Sequence, residues 1–159
     1  MGSVVLAKTS AGLVMVDSRH RVLLVHPGGP YFHRRDEGVW SIPKGLCEPG
    51  EQLEAAARRE FHEELGFDPC PTQLFDLGSV KQSSGKTVYA WAFAGDWDSS
   101  QLRSVRFELE WPPGSGRVEI FPEVDRAEFF EPVVAEQKII AAQRPFVARA
   151  LAWARGLAR

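Results

Sequence analysis

The chain has 159 residues, of which 44% are apolar and 25% charged, with a formal net charge of −2. That length suits one domain over residues 1–159 with a sizeable core, and the composition is that of an ordinary soluble globular protein. The slightly negative balance argues against a protein that coats nucleic acid, and no stretch nears the roughly 20 apolar residues of a membrane span.

The start, MGSVVLAKTSAG, has no basic region followed by a long apolar core, so no secretion signal is expected. Ala11 to Val16 and Arg21 to His26 read as two strands joined through the Asp17–Ser18 turn. Pro27-Gly28-Gly29-Pro30 breaks the chain, and a loop of aromatic and basic residues runs to Trp40. Leu53 to Leu65 is the clearest helix, starting after Pro49-Gly50-Glu51 and stopping at Gly66. Gln73 to Lys81 and Thr87 to Ala94 read as strands around Ser83-Ser84-Gly85. Val105 to Trp111 and Arg117 to Phe121 form a second hairpin pattern, and Ala127 to Phe130 a short strand. Val133 to Leu157 reads as helical with a break near Pro145. Strands flanked by helical regions imply an α/β fold, a mixed sheet covered by helices. Cys47 and Cys70 make neither a disulfide framework nor a zinc pattern, which points to reduced thiols and a cytoplasmic location.

The helix carries the chemistry. Leu53, Ala57, Phe61 and Leu65 line one stripe, and Glu60 and Glu64 run along its margin with Glu63 just beyond. Glu54 is expected to face the apolar side in the first turn. Like charges one turn apart repel, more strongly when half desolvated. A divalent cation resolves that conflict, and Mg²⁺ takes carboxylate oxygens, waters and substrate phosphates. By helix phase alone, a solvated glutamate-rich surface stays an equal alternative. Basic residues gather just before this acidic segment, at His26, His33, Arg34, Arg35 and Lys44, which suits an anionic ligand.

The segment Gly45 to Phe67 resembles the Nudix box. That pattern is Gly, five residues, Glu, seven residues, Arg-Glu, an apolar residue, any residue, Glu-Glu, any residue, Gly and an apolar residue. Gly45, Glu51, Arg59, Glu60, Phe61, Glu63, Glu64, Gly66 and Phe67 fill every fixed position. The resemblance implies the Nudix α/β/α sandwich and hydrolysis of a phosphoanhydride bond in a nucleoside triphosphate or dinucleoside polyphosphate, with Mg²⁺ as cofactor and Mn²⁺ as a substitute. It implies that Glu60, Glu63 and Glu64 bind metal, one of them doubling as general base, with the Lys44 carbonyl as a further ligand. Glu51 and Arg59 are implied as a supporting ion pair, and Gly45 as the point where backbone approaches the metal.

Outside the box, Glu123 is the candidate for an additional metal carboxylate, with Glu119 second. Lys44 is a candidate phosphate contact, as are His33, Arg34 and Arg35. Tyr31, Phe32, Trp40 and Trp91 are candidates to stack on a base, with a core role the favoured alternative for each. The run Trp40-Ser-Ile-Pro-Lys44-Gly45 is similar to diadenosine polyphosphate hydrolases. The phrases HPGGP, FELEWPP and FPEVDRA resemble bacterial proteins predicted to be nucleoside triphosphate pyrophosphohydrolases. A small-molecule nucleotide is therefore the expected partner. RNA 5′-end processing and non-catalytic nucleotide sensing remain open alternatives, as do the substrate, the bond cleaved and the oligomeric state.

Overall fold

A hairpin pattern of aliphatic residues supplies the two central strands, β1 (Thr9–Val16) and β2 (Val22–Pro27). The computed structural model describes residues 8–157. With β3 (Lys44–Leu46), β4 (Phe75–Lys81), β5 (Thr87–Ala94) and β8 (Val124–Phe130), these strands form one mixed sheet. Its order is β4-β5-β1-β2-β8, and β3 pairs with β1 off that path. Among the described strands of this sheet, β1 and β5 run parallel and the other pairs are antiparallel. A separate ribbon is made by β6 (Arg106–Glu110) and β7 (Val118–Pro122).

Strand β1 is buried on both faces, so its alternate side chains feed two cores. Ala11, Leu13 and Met15 pack with Ala56, Ala57, Phe61 and Leu65 of α1 (Leu53–Leu65). Val14 and Val16 pack with Phe146, Val147 and Ala150 of α3 (Arg144–Leu157). Helices thus cover both faces of the sheet, an α/β/α sandwich.

A splay between β1 and β2 positions the site. The two strands pair only at Val16 and Val22 and then diverge. Residues 41–46 fill the gap. Val25 and Ser41 exchange backbone hydrogen bonds at 2.9 and 3.0 Å, and Leu13 N–H donates to the Pro43 carbonyl at 3.1 Å. Strand β3 then pairs with Ser10, Ala11 and Gly12. The chain that feeds α1 is therefore held inside the sheet.

The C-terminal region departs from expectation. Helix α2 (Pro132–Lys138) ends at Ile139, ahead of Pro145. The chain there turns extended so that buried Ile139 can bridge to Trp40, and Ile140 N–H donates to the Trp40 carbonyl at 2.8 Å. Pro145 instead stands in the first turn of α3, where its missing N–H breaks no helical bond. Strand β8 is longer than the four residues expected, because Val124, Asp125 and Arg126 continue it beyond the apolar run. Among the described residues no helix is long and apolar enough to cross a membrane. The N-terminal reading rests mostly on residues 1–7, which lie outside the described residues.

Candidate active site

Helix α1 forms where its apolar spacing predicts, and Gly66, at φ 92°, closes it by donating its N–H to the His62 carbonyl at 2.8 Å. Phe61 anchors the helix with its ring edge-on to Phe67 and Phe93. Burying one such side chain is worth about 1.5–3 kcal/mol. The buried arc is shifted from the expected stripe toward Ala56. Glu54 consequently lies exposed rather than on the apolar side, where water solvates its charge. The same shift carries Glu64 deeper than the margin: its Oε2 is shut off from solvent and has no hydrogen-bond partner among the described residues.

Arg59 organises the acids. Its Nε and Nη2 donate to the two carboxylate oxygens of Glu51 at 2.8 and 2.9 Å, a bidentate pair. Nη1 reaches Glu60 at 2.9 Å and Glu63 at 3.2 Å, and Nη2 also donates to the Leu46 carbonyl at 3.1 Å. Glu51 in turn accepts the Glu48 N–H at 3.0 Å. These donors hold the Glu51 carboxyl down at about 2, and its carboxylate raises Arg59 above the ordinary guanidinium range. One side chain thus ties the loop at 46–51, through Leu46 and Glu51, to Glu60 and Glu63 of the helix. Gly45 sits against the same cluster: a Cβ there would lie 2.1 Å from the Glu60 carboxyl carbon. The close approach needs a residue without a side chain.

Beside this cluster opens a cavity of about 410 Å³ lined by Lys44, Glu64, Glu123, Arg35, Phe32 and Ser41 among others. Burial pushes Glu64 up to about 8, with Lys44 opposing and Glu60 and Glu123 adding repulsion. Burial also raises Glu60 and Glu123; Arg59 works against the first, and the Glu63 charge reinforces the second. The protein therefore concentrates carboxylates in a half-dry place where their charges are unfavourable without a cation.

The remaining candidates divide. Glu123, in the turn between β7 and β8, reaches the cavity, whereas Glu119 points to solvent from β7. Arg35 lines the cavity with its guanidinium over the Phe32 ring at 5.6 Å. Arg34 and His33 are exposed and do not line it. Trp40 is corrected to a core residue. It is 1% exposed, its indole N–H donates to Asp36 at 2.8 Å and its edge meets Phe130, so no face is free for a base. Trp91 is core as well, and Tyr31 packs edge-on against Trp111. His26 does not belong to a positive surface. It is fully buried, with Nδ1 2.6 Å from Asp125 and Nε2 2.7 Å from the Arg35 carbonyl, so it ties the Arg35 loop to β8. Its place at the end of the continuous buried run of β2 is the sequence signal that could have shown that role. Both cysteines are free thiols.

A model of the NUDIX domain matches residues 6–150. The chain belongs to the Nudix family. It is similar to an RNA pyrophosphohydrolase of Bradyrhizobium diazoefficiens, 35% identical over 57 residues that cover 36% of this chain and 34% of that protein. The match thus spans about a third of this curated relative. A Caenorhabditis elegans Ap4A hydrolase superposes with TM-score 0.61 at 21% identity, covering 94% of this chain and 98% of that one. The NUDIX domain of Shewanella oneidensis NrtR, solved with ADP ribose, gives TM-score 0.60 at 14% identity, covering 97% and 90%. At those identities the two structures share the Nudix fold with this chain.

Nudix proteins generally use divalent metals such as Mg²⁺. The residues here fit one. The orphaned Glu64 Oε2 and the Glu60 carboxyl, which the missing side chain of Gly45 lets lie against the backbone, belong to an oxygen-rich cluster of the kind Mg²⁺ prefers. Among the described residues no group of three acids, histidines or cysteines is already gathered as a metal site. Arg59 accounts for part of this, since it occupies one oxygen each of Glu60 and Glu63.

Proposed function

We propose that this Nudix domain hydrolyses a phosphoanhydride bond in a nucleoside triphosphate or dinucleoside polyphosphate, with Mg²⁺ as cofactor. The observation that carries the reading is the unpartnered, buried Glu64 oxygen beside Glu60 and Glu123, bordering a cavity that Lys44 and Arg35 also line. Glu60, Glu63, Glu64, Glu123 and the Lys44 carbonyl are the groups that would hold Mg²⁺, with Mn²⁺ as a substitute. When bound, the cation supplies neutralisation of the pyrophosphate charge and lowers the pKa of the attacking water. A carboxylate of this set takes the proton from that water as it attacks phosphorus. Lys44 and Arg35 hold the phosphate oxygens and stabilise the negative charge on the departing group. Phe32 offers an aromatic edge of the cavity against which a base can rest. Arg59 acts by positioning, since it fixes Glu60 and Glu63 while Glu51 fixes it. Free nucleotides and Mg²⁺ as reactants support a cytoplasmic location.

A second reading, removal of pyrophosphate from RNA 5′ ends, is favoured by the name of the Bradyrhizobium relative. The net charge of −2 speaks against extended RNA contact. A panel of nucleoside triphosphates, diadenosine tetraphosphate, ADP-ribose and 5′-triphosphorylated RNA, assayed with Mg²⁺ and analysed by product mass, separates the readings. Turnover of the first two groups is expected. Turnover confined to RNA would replace the first reading with the second, and no turnover of any would overturn both.

A further inference from the structure

Val22 and Leu24 of β2 pack with Trp40, and His26, two residues on, shares their face. Its ring is fully buried and stands edge-on to Trp40 at 5.2 Å. The carbonyl of Arg35, 2.7 Å from Nε2, can only accept, so it is the Nε2 proton that joins the ring to Arg35. From the other side, the Asp125 carboxylate fixes the ring at Nδ1. Strand β8 is bent to make that contact. His26 pairs with Arg126 and Pro27 with Val124, so Asp125 is the extra residue of a bulge. A bulge breaks the alternation and re-aims a side chain. Pro27, which has no N–H to give the ladder, stands where the register shifts. Arg126 lies beside the same Asp125 oxygen at 3.9 Å, with its guanidinium over the Trp40 ring.

The loop from Gly28 to Val39 has few other backbone ties. At its ends, Gly28 N–H donates to the Glu123 carbonyl at 2.8 Å and Gly38 N–H to the Gln137 carbonyl at 3.2 Å. Between them, among the described residues, only the Arg35 carbonyl joins the backbone to another element. The Arg35 N–H turns back to the Phe32 carbonyl at 2.9 Å. One residue on, the Asp36 side chain meets the Trp40 indole and Lys138. The exposed Arg35 side chain leaves from this pinned point and lines the cavity with Lys44, Glu64 and Glu123. Among the described residues neither His26 nor Asp125 lines that cavity. Their effect on a ligand there has to pass through Arg35.

We propose that His26, oriented by Asp125, is a positioning residue for phosphate binding: it holds the Arg35 backbone so that the guanidinium stands over the cavity that takes the phosphate chain. This rests on the hydrolytic reading above. An arginine on a free loop would lose backbone as well as rotamer freedom when it grips a phosphate. A backbone fixed beforehand leaves only the rotamers to be ordered, so more of the contact appears as affinity.

Two substitutions divide the work of the ring. An Asn amide stands near the place of Nδ1 and meets Asp125 alone, whereas a Gln amide stands near that of Nε2 and reaches the Arg35 carbonyl. The probe is inorganic tripolyphosphate, titrated into the full chain with Mg²⁺ by calorimetry while ³¹P spectra show it intact. His26→Asn should weaken it about tenfold, as should Arg35→Gln, the worth of one charge-assisted contact. The double variant should bind no more weakly than Arg35→Gln alone, and His26→Gln should recover most of the affinity. Trypsin reads the loop itself. Nicking after Arg34 and Arg35, assigned by fragment mass, should quicken in His26→Asn and slow again in His26→Gln. If His26→Asn fails to fold, Asp125→Ala, at a partly exposed position, takes its place in the same cycle with Arg35→Gln. Losses that add in the double variant mean that His26 does not act through Arg35, and overturn the proposal. So do unchanged affinity in His26→Asn, with or without faster nicking, and a wild type that binds no tripolyphosphate. A chain that follows the binding cycle but cleaves no nucleotide overturns the hydrolytic reading alone.

Discussion

Glu63 and Glu123 are linked through one intervening residue: Val105 donates its N–H to the Glu63 carbonyl and accepts the Glu123 N–H at its own carbonyl, both at 2.9 Å. Ser104 Oγ braces the same turn by accepting the Val124 N–H at 3.0 Å. The spacing between the acids of α1 and the acid of the β7–β8 turn is thus set by backbone, which no side-chain rotation can relax. If Glu123 is a ligand, Glu123→Gln should weaken Mg²⁺ at least about tenfold. The readout is the Mg²⁺ concentration needed to raise the melting temperature. An unchanged titration would remove Glu123 from the metal set.

Gly45→Ala should leave the fold standing and damage the site. The new methyl meets the Glu60 carboxyl at 2.1 Å, the movable end of a flexible side chain, so Glu60 moves rather than the backbone. A shift of about 1 Å in a reacting group costs on the order of a hundredfold in rate. The check is kcat beside the melting temperature. Wild-type turnover by the variant would show that the position of Glu60 does not matter.

Arg59→Ala and Glu51→Gln should share one defect. Arg59 makes two hydrogen bonds to Glu51 and single ones to Glu60 and Glu63, so losing either partner frees the same loop. In a double-mutant cycle on log kcat, the double variant should lose little more than Arg59→Ala alone. Strictly additive losses would mean the pair does not act as a unit.

The box and its helix were legible because periodic spacing fixes α1 and its acids before any tertiary contact is known. Strand β3 was not, since Lys44–Leu46 has three residues and no alternation; only the splay of β1 from β2 creates a place for it. For Trp40 the sequence favoured a core role but left base stacking open, because a loop aromatic carries no sign of what surrounds it. Its place follows from Asp36 and Phe130, which the fold brings to it. The depth of Glu64 depends on a helix rotated toward Ala56, a shift smaller than helix phase alone resolves.

Glu64 makes the metal-free protein sensitive to pH. Below about 4.5 its carboxyl is protonated in the folded and unfolded states alike and costs nothing. Between 4.5 and about 8 the unfolded chain releases a proton that the folded chain keeps, so stability falls as pH rises. The slope from this one group is at most about 1.4 kcal/mol per pH unit, and it ends above the folded pKa. Urea unfolding in chelator should therefore show wild type losing stability from pH 5 to 8 more steeply than Glu64→Gln. Equal slopes would assign the dependence to other groups.

Lys44 and Arg35 put two cations on the cavity, and Lys44 stands close enough to Glu64 and Glu123 to act on their charges. A single pyrophosphate shared with Mg²⁺ leaves little negative charge for both cations, whereas a triphosphate or tetraphosphate satisfies them. Diadenosine tetraphosphate or a nucleoside triphosphate should therefore exceed ADP-ribose in kcat/KM. Lys44→Ala should narrow that preference, because one charge-assisted phosphate contact is worth about 1.5–3 kcal/mol, or roughly ten- to a hundredfold. Losing a contact made equally before and during reaction raises KM, and losing one made only in the transition state lowers kcat, so the split reports where Lys44 acts. ADP-ribose as the best substrate, with Lys44→Ala leaving the ranking untouched, would confine Lys44 to its backbone role between β1 and α1.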